Sequence, residues 1–167
     1  MDFVIRPYTP ADRDWVLECE VALQEHERAI HDTRLPGLPH SRDYLALLWD
    51  VLAENNGIML IAETAEGERV GLVAGHVVDE PWPVETRDST RYGYVSDIYI
   101  RPEARSAGLA KALLDASAAH LHQSDPTLTR LRVNVLAVNT IACRAYEKAG
   151  FTPYEVMYER RLGPIRS

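Results

Sequence analysis

One stretch of this chain, residues 98–111, restricts what the chain can fold into more than any other. Its first residues are β-branched or aromatic and stop at Pro102, which is typical of a strand that ends there. A short basic turn follows, and a helical pattern begins around Ser106 with Leu109 and Leu113 on one face. Because the first N–H groups of a helix lack intrahelical partners, this order of elements predicts an anion-binding loop.

The residues of this loop suit a diphosphate. Arg105 carries a planar guanidinium whose donors match phosphate oxygens. Ser106, Ala107 and Gly108 are small enough to let a phosphate group approach the backbone. The loop lacks the Gly-Lys-Ser/Thr ending of a nucleotide-binding P-loop, so that class of site is excluded.

The rest of the chain alternates between strand and helix patterns without repeats or linkers. The predicted order is β-α-α-β-β-β-α-β-α-β, with a last strand or strand pair at residues 151–162. A chain of 167 residues is the size of one domain, and we expect residues 1–167 to form a single α/β (α+β) unit.

The charge and composition of the chain limit which kinds of partner it can bind. The net charge is −7 with scattered Lys and Arg, which argues against nucleic acid as the main partner and suits a cationic amine. No window approaches the roughly 20 apolar residues of a membrane span, and no signal peptide is recognisable, so we expect no membrane association and a cytoplasmic location. Cys19 and Cys143 have no second ligand at metal-binding spacing and are expected to be free thiols; no metal site is predicted.

Three motifs together resemble the GCN5-related N-acetyltransferase (GNAT) family, which uses acetyl-CoA. Residues 105–110, RSAGLA, fit the family's Q/R-x-x-G-x-G/A pyrophosphate loop. Residues 97–103, DIYIRPE, are similar to the strand before that loop, and residues 146–151, YEKAGF, match the closing motif. The order of elements agrees along the whole chain. The resemblance implies a mixed, mostly antiparallel twisted sheet of six to seven strands flanked by four helices.

The resemblance also implies a binding site for acetyl-CoA. In the family the central strand splays from its neighbour, here near Tyr99, and its backbone groups pair with the pantetheine arm. The cofactor-binding residues would be Ile98, Tyr99, Ile100, Arg105, Ser106, Ala107, Gly108, Leu109, Ala110, Lys111, Asn139 and Tyr146. Asn139 could equally be a simple helix cap. Tyr146 matches the family's general acid, which protonates the departing thiolate.

The general base stays open at this stage. Family members often carry a glutamate where this chain has Ser96 and Asn134, and neither residue can accept a proton at neutral pH. Strand alternation would turn Asp97 to the face opposite Ser96. His76 on the adjoining strand is another option. We favour a relay through ordered water held by Ser96 or Asn134.

The resemblance leaves the acceptor open as well. The regions that would contact it contain His26, Glu27, His31 and Trp82, and Tyr94 shares the face of Ser96. A small-molecule amine N-acetyltransferase is the leading interpretation. A protein or peptide N-acetyltransferase and a non-catalytic acyl-CoA sensor are the alternatives. Dimers are common in the family, so a homodimer through the last strand is also open.

Overall fold

The computed structural model describes residues 2–105 and 107–163. Five strands and five α-helices are present in this part of the chain. The strands are β1 (Phe3–Pro7), β2 (Ile58–Thr64), β3 (Arg69–Asp79), β4 (Arg91–Ile100) and β5 (Leu131–Val133). The helices are α1 (Arg13–Ile30), α2 (Gly37–Glu54), α3 (Arg87–Thr90), α4 (Leu109–Ser124) and α5 (Thr140–Lys148). The four longer helices are the predicted ones, and α3 is a single turn within a loop.

The strands form one mixed sheet in the order β1-β2-β3-β4-β5. Neighbours are antiparallel from β1 to β4, whereas β4 and β5 run parallel. The connection between the two parallel strands contains α4, because a parallel pair needs a crossover. The mixed, mostly antiparallel α/β sheet predicted from the sequence is confirmed.

Helices cover both faces of the sheet. On one face α1 and α2 bury an apolar cluster that includes Val16, Cys19 and Leu48 against Leu72 of β3. On the other face α4 buries Leu109, Leu113 and Leu114 against a second cluster, which α5 joins through Tyr146 and Ala149. We call these the α1/α2 face and the α4/α5 face.

A β-bulge interrupts β4 at Ser96. Ala74 of β3 pairs with Asp97, but the next residue, Gly75, pairs with Val95, so Ser96 is the extra residue. Val95 faces the α4/α5 face, and Asp97 pairs with Ala74 on the α1/α2 face. The prediction that Asp97 lies opposite Ser96 was therefore wrong, because simple alternation does not continue through a bulge.

The predicted six to seven strands were too many. Residues 151–163 form no strand, and they expose large apolar side chains such as Met157 and Tyr158. The sequence of residues 128–138 predicts a longer strand than the observed one, which spans only Leu131–Val133. A strand needs a partner for its backbone groups, and only three residues of β5 have β4 as that partner.

Helix α4 begins later than predicted and packs closely on the sheet. It starts at Leu109 rather than around Ser106, because Gly108 precedes it with a φ of 78°, in the left-handed region. Gly75 allows the close approach: a Cβ on Gly75 would lie 2.7 Å from the Ser117 Oγ of α4. This packing holds the middle of α4 against β3.

Within the described residues, no helix has the length and apolar character that crossing a membrane would require.

Candidate functional site

The two parallel strands separate at the centre of the sheet. Pairing runs from Gly93 with Leu131 to Val95 with Val133 and then stops. Residues 96–100 of β4 continue along β3 without a described partner on the β5 side. The splay therefore begins at the bulge rather than near Tyr99 as predicted, and it leaves a strip of β4 backbone free to pair with an extended ligand.

The loop before α4 lies at the end of this strip. Ala107 and Gly108 are exposed, and a Cβ on Gly108 would meet no atom within 4 Å. Arg105 is also exposed, and its Nε donates to the carbonyl oxygen of Ile100 at 3.3 Å. These exposed positions leave the backbone in front of the helix start open to an anion such as a diphosphate. Ser106 lies outside the described residues.

Some of the remaining predicted cofactor residues pack in the core, and others are exposed to solvent. Ile98 and Ile100 pack on the α4/α5 face, while Tyr99 packs on the α1/α2 face, so their backbone groups rather than their side chains are available to a ligand. Leu109 is buried and Ala110 is half-buried in α4. Lys111 is exposed and donates to Asp115 at 2.6 Å.

Helix α5 brings Asn139 and Tyr146 to the same side of the sheet as α4. Asn139 caps the helix, because its Oδ1 accepts a hydrogen bond from the Ala142 N–H at 3.2 Å. Tyr146 packs among the residues of the α4/α5 face, with its ring centroid 5.9 Å from that of Phe151. Burial raises the pKa of Tyr146 to about 12, and the charge of Asp97 adds to the shift. Tyr146 thus keeps its proton at neutral pH.

Asp97 is the most perturbed accessible carboxyl of the site. It lies one residue after the bulge, and the Tyr44 hydroxyl of α2 donates to its Oδ2 at 2.5 Å. Loss of surrounding water raises the pKa of Asp97 to about 6, although the bond from Tyr44 acts in the opposite direction. Part of Asp97 stays open to solvent. A carboxylate with this pKa can accept a proton near neutral pH.

Ser96, His76 and Tyr94 form a small polar group beside Asp97. The Nδ1 of His76 lies 3.0 Å from the Ser96 Oγ, within hydrogen-bond distance. The His76 and Tyr94 rings meet edge to face, with centroids 5.5 Å apart. Burial lowers the pKa of His76, so this ring is neutral at pH 7. The bulge therefore collects these groups and Asp97 in one place.

Two residues of this site were missed from the sequence, Tyr44 and Glu20. Glu20 of α1 is 4% exposed, and its Oε1 has no hydrogen-bond partner within the described part of the chain. Burial, and then the charge of Asp97, raise the pKa of Glu20 well above its usual range. A signal existed: Glu20 comes four residues after buried Val16, and Tyr44 three after buried Ser41. A polar residue on the buried side of a helix is a candidate site residue, because burial of a polar group needs a reason.

Other predicted residues do not join this group. Asn134 is exposed just after β5, and His26 is exposed near the end of α1. His31 has its Nδ1 2.8 Å from the Thr33 Oγ1. Trp82 is 62% exposed in the loop before β4 and lines a separate depression of about 290 Å³. Glu27 accepts a hydrogen bond from Arg34 at 2.5 Å, yet its charge also raises the pKa of Asp97 and Tyr146.

Sequence comparisons agree with this arrangement. The sequence model of the Acetyltransferase (GNAT) family matches residues 21–151. A mycothiol acetyltransferase from Thermobispora bispora is 36% identical over 93 residues, which is 52% of this chain. The match spans about a third, 31%, of that relative's length.

Solved structures share the fold. A Bacillus halodurans protein covers 95% of this chain and 99% of its own with a TM-score of 0.78 and 20% identity. A predicted acetyltransferase with acetyl-CoA from Clostridium acetobutylicum covers 96% of each chain with a TM-score of 0.71 and 19% identity. An aminoglycoside 6'-N-acetyltransferase from Acinetobacter baumannii covers 97% of this chain and 100% of its own with a TM-score of 0.67 and 17% identity.

The family match covers most of the chain, and it includes the splayed strand, the glycine turn before α4 and the tyrosine of α5. This chain therefore belongs to the acetyltransferase (GNAT) family, whose members use acetyl-CoA.

Proposed function

We propose that this chain is an N-acetyltransferase that moves an acetyl group from acetyl-CoA to a primary amine of a small molecule by direct attack. The observation that carries the proposal is the position of Asp97. This carboxyl lies where β4 leaves β5, its pKa is about 6, and its charge reaches Tyr146. An accessible base and a protonated phenol thus lie close to one free strand edge.

The described residues fit acetyl-CoA. The free backbone of residues 96–100 would pair with the amides of an extended pantetheine arm, and the exposed N–H groups around Gly108 would hold the diphosphate. Arg105 and Lys111 lie beside the same turn as cations. When bound, acetyl-CoA supplies the thioester carbonyl that the amine attacks.

Proton transfers are assigned to two side chains. An alkylammonium has a pKa near 10.4, so the acceptor must lose a proton before it can attack. Asp97 accepts this proton on a carboxylate oxygen and passes it to water. Tyr146 donates its phenolic proton to the departing sulfur. We prefer this scheme to the water relay expected from the sequence, and the register shift that brings Asp97 beside Ser96 supports it.

Small acceptors are favoured over proteins by the surroundings of Asp97. Tyr44 covers this carboxyl from α2, and His76 and Tyr94 flank it from the sheet. The names of two relatives also describe small acceptors, an aminoglycoside and mycothiol. A carboxyl covered in this way suits a single amine-bearing chain better than a folded partner.

The test measures release of the free CoA thiol from acetyl-CoA with a panel of small primary amines and a panel of peptides. We expect turnover with at least one small amine and loss of it in Tyr146→Phe. Calorimetry on the same proteins reports CoA binding separately. Turnover with peptides alone would favour a protein acetyltransferase. Tight CoA binding without turnover on either panel would favour a sensor.

We also propose a homodimer through the tail. Residues 154–162 expose Val156, Met157 and Leu162, and a second copy of the chain would cover them. Sedimentation equilibrium is expected to give twice the mass of 18.8 kDa. A monomer at all concentrations contradicts this.

A further inference from the structure

Glu20 is a buried carboxyl that the proposed mechanism does not use. It lies on the buried stripe of α1 beside Val16 and Cys19, and these two residues pack in the cluster that contains Ala74, the strand partner of Asp97. Its Oε1 accepts no hydrogen bond from any described residue. Buried polar atoms nearly always have a partner, so an unpartnered oxygen beside a substrate site points to a donor that arrives with the ligand.

The missing donor has a definable chemistry. No Lys or Arg pairs with Glu20 or Asp97 among residues 2–105 and 107–163. Two neighbouring carboxyls cannot both ionise easily unless a cation lies between them. A primary ammonium is compact and carries three N–H donors, so it can satisfy Glu20 and Asp97 together.

We propose that Glu20 binds the ammonium group of the acceptor and makes the site selective for cationic amines. The Glu20 carboxylate accepts one N–H of the ammonium, and Asp97 accepts another. The proton on the second N–H then moves to Asp97, which leaves the neutral amine held by Glu20. Because Tyr44 contacts Asp97, and the His76 and Tyr94 rings lie beside Ser96, the body of the acceptor is apolar or aromatic. The catalytic part of this inference rests on the proposed function, whereas the binding part does not.

The experiment compares two probes of matched shape, benzylamine and benzyl alcohol, on the full chain in the presence of CoA. At pH 7 the amine is a cation and the alcohol is neutral. Calorimetry is expected to show that the unaltered chain binds benzylammonium more tightly than the alcohol. Because hydrogen bonds to charged groups are worth about 1.5–3 kcal/mol, Glu20→Gln should weaken ammonium binding by about 10- to 100-fold. Its binding of the alcohol should stay the same.

Two further variants separate recognition from structure. Glu18→Gln makes the same chemical change on the exposed side of α1 and should bind both probes like the unaltered chain. Glu20→Asp keeps the charge and should restore part of the ammonium affinity. Thermal unfolding of each variant reports whether it folds.

The outcomes are distinct. Equal loss of both probes in Glu20→Gln, unchanged ammonium binding in that variant, or no ammonium binding by the unaltered chain would each overturn the inference. Glu20-dependent binding of benzylammonium together with no thiol release from acetyl-CoA on any amine would contradict the proposed function and leave the ammonium site standing.

Discussion

Asp97 differs from an ordinary aspartate through its surroundings. The bulge at Ser96 directs it to the α1/α2 face, where helix α2 places the Tyr44 hydroxyl against it. Burial disfavours its charged form and the Tyr44 bond favours it, and burial dominates. The result is a carboxyl whose pKa of about 6 is closer to its working pH than the usual value of 3.8.

Asp97→Asn should reduce kcat by about 10²- to 10⁴-fold, because general-base catalysis contributes on that order. The amide has nearly the same shape, so CoA binding measured by calorimetry should be unchanged. Thiol release under saturating amine gives kcat. Activity within a few-fold of the unaltered chain would favour the water relay through Ser96 or Asn134.

The pH dependence follows from the same group. Asp97 must be ionised to accept a proton, so kcat is expected to fall tenfold per pH unit below about pH 6. His76→Gln is the matched control, because His76 also lies beside the site. If kcat still falls below about pH 6 in this variant, the titrating group is Asp97. If the fall disappears, the titrating group is His76.

Residue types with a local chemical signature were predictable from the sequence, and those defined by packing were not. The capping role of Asn139 follows from backbone preferences and is present, whereas the left-handed turn at Gly108 was not predicted, because the helical pattern in the sequence begins around Ser106. Glu20 and Tyr44 act through neighbours that lie far away in the chain. The face of Asp97 depends on a register shift between two strands, and no spacing within one strand reveals it.

Helix α4 packs closely on the sheet at Gly75 of β3. Gly75 lies under Ser117, whose Oγ is buried without a partner in the described structure. The helix would be held away from β3 by any larger side chain at this position. Because the turn at Gly108 leads directly into α4, the distance of this turn from the sheet depends on the packing of α4.

Gly75→Ala should lower the free energy of unfolding by about 1–3 kcal/mol, as overpacking of a core contact does. Ser117→Ala removes the atom that the new Cβ would strike, so the double variant should regain part of the loss. Urea unfolding of the four proteins gives the coupling. Additive effects would show that the clash lies elsewhere, for example with the Tyr94 carbonyl at 3.2 Å.

The periodicity of hydrophobic residues predicted the long helices and the antiparallel strands, since each depends on a pattern within one segment. The strand predicted at residues 151–162 did not form. Residues 151–162 have strand-like side chains, yet a strand also needs a partner edge, and sequence patterns do not specify one. The shortening of β5 has the same cause, because β4 pairs with only three of its residues.

An ion-pair network joins distant parts of the molecule around Asp12. This carboxylate is fully buried and accepts hydrogen bonds from Arg6 of β1 at 2.8 Å, from Arg69 of β3 at 2.7 Å and from the Thr9 backbone. Arg6 also bonds Glu63 of β2. The hydrogen bonds from Arg6 hold the pKa of Asp12 far below its usual range. Strands β1 and β3 therefore meet at the Asp12 carboxylate before α1, and β2 joins the network through Arg6.

Asp12→Asn should cost about 2–3 kcal/mol of unfolding free energy at pH 7. This is less than for a fully buried pair, because both guanidiniums keep part of their surface in water. Since the folded pKa is lowered, the contribution is present above pH 4 and is lost as the pH falls through the folded value. Urea unfolding at pH 7 and pH 3 should show the difference between the two chains narrowing.

Asp115→Asn is the control, because it removes an exposed ion pair with Lys111. It should change stability by about 0.5 kcal/mol or less at either pH. An equal effect of the two substitutions would show that the Asp12 network is not the join between the strands.

The bulge at Ser96 divides β4 into two segments. The alternation of side chains between the two faces of the sheet is shifted by one residue from one segment to the other. Upstream of the bulge Tyr94 faces the α1/α2 face, and downstream of it Ile98 and Ile100 pack on the α4/α5 face. In the proposed function the acceptor would contact Tyr94 and Asp97 on the α1/α2 face, and the donor would pair with the backbone of residues 96–100. Substitutions at Tyr94 can therefore alter the choice of acceptor without disturbing the donor site, which makes the two specificities separable in design and in evolution.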